Sequence, residues 1–158
     1  MSETITGGGY GTSKRVEFTK KIIVPSASVL ALNATPYTLV DAPSSTTRGD
    51  VMLEFLSAVV VKPAGVAYAG VAGGEDLAIK YTDASGAQVN TSLEATGFLD
   101  QTTIQRRITR PIVTEVTPVV NAALVLHMLT GEITTGDQPL IITLRYAEWR
   151  DTSVNSLT

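Results

Sequence analysis

Residues 77–93 read LAIKYTDASGAQVNTSL, and this stretch decides the fold. Leu77, Ile79 and Tyr81 alternate with Ala78 and Lys80, which is the period of a strand with one buried face. Residues 83–86 (DASG) then make a tight turn, where an Asp side chain caps backbone groups two residues on. Val89, Thr91 and Leu93 alternate on the return. The pattern predicts a β-hairpin.

The same reading extends in both directions. Residues 51–62 (VMLEFLSAVVVK) are long enough for a helix, but Val59, Val60 and Val61 and the Gly and Pro flanks favour a strand with a bulge. Val16 and Phe18 lead through Ile22, Ile23 and Val24 to Pro25, a strand with a stop. Residues 29–32 read as a short strand, 33–36 as a turn, 37–40 as another strand and 44–50 as a polar loop. Residues 65–74 are rich in Gly and Ala around Tyr68, and residues 95–100 read as a compact loop or a single helical turn. Residues 103–108 and 112–116 read as edge-like strands, because Pro111 and Pro118 cannot donate to a ladder. Residues 121–129 and 140–149 are the last strands, joined by a polar loop. About nine strands, with turn signals every 8–12 residues and no amphipathic helix, make an all-β sandwich or barrel.

At 158 residues the chain is expected to form one domain. Residues 1–14 read as a flexible arm, since Gly7, Gly8, Gly9 and Gly11 lose much backbone entropy on ordering and bring no side chain to bury. Residues 15–150 are the β domain and 151–158 a polar tail. Charged residues are 17% of the chain, low for a globular protein, so a partner covers this surface at a smaller desolvation cost. The net charge is -3, and no basic stripe stands out beyond Lys20-Lys21 and Arg106-Arg107, which argues against nucleic acid as partner. No apolar run approaches the roughly 18 residues of a membrane span. Residues 1–4 carry Glu3 and no apolar stretch, so no export leader is expected.

Candidate chemistry is sparse. There is no Cys and one His, His127, within the apolar run 122–129. A general base needs an orienting acceptor and a nucleophile in reach. The neighbours of His127 are Leu126 and Met128, so a structural His is expected, with no cofactor and no metal. Asp83 reads as a turn cap, and Glu75-Asp76 do not by themselves make a calcium loop. Arg48-Gly49-Asp50 spells an integrin-binding tripeptide, a match that chance supplies often. Ile5 and Tyr10 are the sizeable apolar groups of the arm, which either stays disordered or orders against a neighbour. Trp149 has two readings, core residue or interface anchor. Because Trp, Tyr and Arg dominate interface hot spots, the interface candidates are Ile5, Tyr10, Arg15, Arg106, Arg107 and Trp149.

Four segments carry a resemblance. They are residues 29–43 (VLALNATPYTLVDAP), 68–83 with its EDLAIKYTD ending, 96–100 (TGFLD) and 121–136 (NAALVLHMLTGEITTG). They resemble a family of small virion proteins of tailed bacteriophages, the capsid decoration or cement proteins. The similarity spans roughly residues 28 to 146, while the stretch before Arg15 departs from the shared pattern. The resemblance implies a jelly-roll-like β-sandwich, often trimeric, made in the host cytoplasm and bound outside the major capsid protein of the virion. It implies a structural, non-enzymatic role. A tail- or fibre-associated virion component and a carbohydrate-binding β-sandwich are the alternatives.

Overall fold

The computed structural model describes residues 2–4, 13–44, 50–71 and 75–151. Strands dominate: β1 (Ser2–Thr4), β2 (Ser13–Val24), β3 (Tyr37–Val40), β4 (Val51–Lys62), β5 (Leu77–Tyr81), β6 (Gln105–Thr109), β7 (Leu124–Met128) and β8 (Leu140–Asp151), with one short helix, α1 (Ser26–Leu30). The strands form two sheets, ordered β1-β2-β8-β4-β6 and β3-β7-β5. Every pairing is antiparallel. The all-β expectation holds, and the two sheets share one core.

Period-two alternation builds that core. Ile22 and Val24 of β2, Leu53 and Phe55 of β4, and Ile142 and Leu144 of β8 point inward from the larger sheet. Leu39, Ile79, Leu124 and Leu126 meet them from the smaller one. The Tyr81 hydroxyl crosses the gap and donates to the Leu53 carbonyl at 2.5 Å. Between Phe55 and Ser57 the β4 register shifts, a bulge that restores the alternation toward Lys62.

Pairing is nested along the chain. β2 lies beside β8, β3 beside β7 and β4 beside β6. β5 pairs back on residues 88–93 through the bridges Lys80↔Gln88 and Leu77↔Leu93. These bridges are the return arm of the predicted hairpin. The ladder is interrupted because the buried Asn90 side chain takes the Ile79 N–H at 2.6 Å. Asn90 Nδ2 also donates to Thr109 Oγ1 at 3.0 Å, tying the hairpin to β6.

The described residues form eight named strands, where about nine were expected. The stretch 29–32 is instead the end of α1 and the turn after it. Pro25 presets its own φ at -59°, and its carbonyl accepts from Ser28 and Val29 N–H at 2.9 and 3.0 Å. Val29 and Leu32 are then buried three positions apart, a spacing that so short an apolar run does not distinguish from a strand. Residues 112–116 form no ladder either. Pro111 bridges Asn90 and Ile112 N–H donates to Val89, which draws the segment toward the smaller sheet. Within the stretch read as an arm, Ser2–Thr4 pair with Ser13–Arg15. Ile5, Tyr10 and the Arg48-Gly49 pair lie outside the described residues.

The hairpin turn has a steric requirement. A Cβ on Gly86 would sit 1.6 Å from the Tyr81 carbonyl oxygen. Asp83 Oδ1 accepts the Ser85 N–H at 2.8 Å, the turn role read from sequence. Gly86→Ala is expected to cost more than about 1 kcal/mol, because the turn must open. Urea unfolding would show this as a lower midpoint with an unchanged slope; an unchanged midpoint would count against the contact.

Candidate interaction surface

The outer face of the five-stranded sheet carries Arg15 and Trp149 together. Trp149 lies between Arg15 and Met52 in register. Leu53 and Phe55 point into the core, so alternation turns Met52 and Glu54 outward beside them. Trp149 Nε1 donates to Glu54 Oε2 at 2.7 Å, and Arg15 Nε donates to the same oxygen at 3.1 Å. The Arg15 guanidinium stands over the indole, 5.5 Å from the ring centroid. Arg15 also pairs with Glu17, whose other oxygen accepts from Arg145 at 3.3 Å. The Arg15 hydrogen bond holds the Glu17 carboxyl below its usual range, and Glu17 in turn raises Arg15. The result is a fixed chain of alternating charges across β2, β8 and β4.

Beside this cluster lies a cavity of about 430 Å³, lined in part by Met52, Phe55, Tyr81, Ile112, Val116 and Trp149. It exists because β6 leaves β4 at Ala58 while β4 runs on to Val51. The chain rejoins that edge at Val120, which bridges Met52, and at Asn121, whose N–H donates to the Val51 carbonyl at 2.7 Å. Pro111 and Pro118 have no N–H with which to close the gap. The Tyr81 hydroxyl is not free for a ligand, since Leu53 accepts it; burial, then Glu54, raises its pKa.

Arg106 and Arg107 are neighbours that face opposite ways. Arg107 turns inward, donates to the Gly97 carbonyl at 2.7 Å and lies 5.6 Å from the Phe98 ring centroid. It holds the loop at residues 95–99. Arg106 is exposed on the outer face, across from Val61. The candidates read from sequence therefore split: Arg15 and Trp149 converge, Arg106 lies further along the same sheet, and Arg107 has an internal contact. Glu54 was not singled out in the sequence. A carboxylate at the alternating outward position of an apolar strand was the available signal.

His127 is buried on β7 with its ring facing away from the main core. Its Nε2 is 3.3 Å from the Asn33 carbonyl, and its Nδ1 has no partner. Among the described residues, no group of three or more His, Cys, Asp or Glu side chains is placed to hold a metal ion. No described helix is long and apolar enough to cross a membrane. Comparison with family models, curated proteins and solved structures finds no match.

Two outcomes are expected here. Burial first, and the Lys80 charge second, lower the His127 pKa, against the opposing Asn33 carbonyl. The unfolded chain then binds a proton that the folded chain refuses. Stability should fall as pH drops below the unfolded value of about 6.5 and level off below the folded pKa. His127→Gln should flatten that window in paired unfolding curves; parallel curves would exclude the assignment. Trp149 is the single Trp, so its fluorescence reports on one site. Arg15→Ala uncovers the indole and should raise its quenching by acrylamide, with a stability change of about 1 kcal/mol or less.

Proposed function

We propose that this chain is a non-enzymatic capsid decoration protein of a tailed phage, a jelly roll that binds and stabilises the outer surface of the particle as a trimer. The observation that carries the reading is the nested pairing. First lies with last, second with second-last, and the two innermost segments form the hairpin at residues 77–93. That order supports reading the fold as a double Greek key, a wrapping recurrent in viral coat and lectin domains. On this reading residues 88–93 supply the eighth strand and β1 is an edge addition. The resemblance of residues 28–146 to decoration proteins supports the same assignment.

The physical role follows from linkage. A protein that binds the assembled lattice and not its free subunits shifts the equilibrium toward assembly. Repetition over the lattice multiplies the effect through avidity. Such a part needs stiffness and contact area. The outer-face carboxylates Glu17 and Glu54 are engaged by arginines, which stiffens that end of the sheet. For the carbohydrate-binding alternative, exposed Phe18 is stacked on Tyr146, and half-buried Trp149 has its ring covered by Arg15 and its N–H taken by Glu54.

Particles of the encoding phage prepared without this protein should bind it on mixing, recover heat tolerance, and show added density on the capsid shell by cryo-EM. Density on the tail would support the tail-associated alternative instead. Absence of binding would overturn the proposal.

A further inference from the structure

We infer that the docking surface is the apolar half of the outer face of the five-stranded sheet, and that its occupant is a protein surface with an apolar centre and an acidic rim. This rests on the capsid-binding reading, for which it names the contact face. Two register rows define the patch. One runs Ile23, Ile141, Val61 and Arg106 across β2, β8, β4 and β6; the next runs Lys21, Thr143, Val59 and Ile108. Ile23 is 57% exposed, Ile108 49%, and Ile104, just before β6, 66%. The opposite side of these strands already forms the core, so folding does not require isoleucines on the solvent side. A contiguous exposed apolar patch of this kind marks a contact site more often than isolated residues do.

Charge selects the partner. The chain has a net charge of -3, yet these two rows contain Lys21 and Arg106 and no carboxylate. Arg110 and Arg145 line a recess beside Ile108 and Ser57. Among the described residues, Lys21, Arg106 and Arg110 form no ion pair. The outward carboxylates Glu17 and Glu54 sit toward the other end of the sheet, each held by arginine. Apolar surface rimmed by unpaired cations is complementary to apolar surface rimmed by acids. A second copy is the wrong occupant. Lys21 and Arg106 flank the patch on β2 and β6, so stacking it on itself sets cation against cation.

The test uses the whole chain and capsids of the encoding phage that lack it. Lys21→Glu with Arg106→Glu, and separately Ile23→Ser with Ile108→Ser, should each weaken particle binding by about tenfold or more. All four positions are exposed, and unchanged unfolding midpoints would establish that the variants fold. Glu94→Lys, exposed on the segment after the hairpin, should bind as the wild type does. Wild-type binding should weaken as salt rises, and the charge-reversed variant should lose that dependence. Equal binding by wild type and both face variants would overturn this inference and leave the capsid reading standing. Failure of the wild type to bind would overturn both. Face variants that change self-association or binding to anionic phosphatidylserine vesicles, and leave particle binding intact, would also overturn it.

Discussion

The pairing of β2 with β8 is the contact on which the rest of the structure depends. Twelve residues of each strand lie in unbroken register, from Ser13↔Asp151 to Val24↔Leu140. This brings segments from opposite ends of the sequence together, and closing so long a loop costs chain entropy that only extensive pairing and burial offset. Ile22, Val24, Leu140 and Ile142 supply that burial on the inner side. β8 then offers its second edge to β4, and β4 offers part of its own to β6. The order of the larger sheet follows from that placement.

A two-sheet fold leaves each sheet one side that the other does not cover. On the larger sheet that side is divided. One end carries the interlocked Arg145, Glu17, Arg15, Glu54 and Trp149; the other carries β-branched apolar residues and unpaired cations. The first arrangement satisfies its charges internally and fixes side chains in place. The second leaves both apolar area and positive charge unsatisfied, which is the physical state of a surface that gains free energy when covered. The separation sits on one continuous sheet, so a load applied to either end is carried by three 12-residue strands and the hydrogen bonds between them.

Local chemistry was readable wherever it was sufficient. Asp83 caps its turn, Val59, Val60 and Val61 extend in a strand, and Pro25 ends one. It failed where a distant neighbour decided. Residues 29–32 became a helical turn because Val29 and Leu32 both found core space three positions apart. Residues 112–116 lost their ladder because Pro111 and Ile112 bond to the hairpin rather than to β4. Arg106 and Arg107 read as one basic pair, yet opposite faces of β6 separate their roles.

The sequence by itself determined the class: period-two alternation between turn residues, with no competing helical stripe, dictates antiparallel strands and a core between sheets. It also determined the hairpin at residues 77–93, whose partners are near in the chain. Only the tertiary structure decided which strands became neighbours, which side of each faced water, and that Ile23 and Ile108 share a face with Arg106. Alternation distinguishes two sides of a strand without naming the inner one. That assignment comes from pairings between residues tens to more than a hundred positions apart, where local preference carries no information.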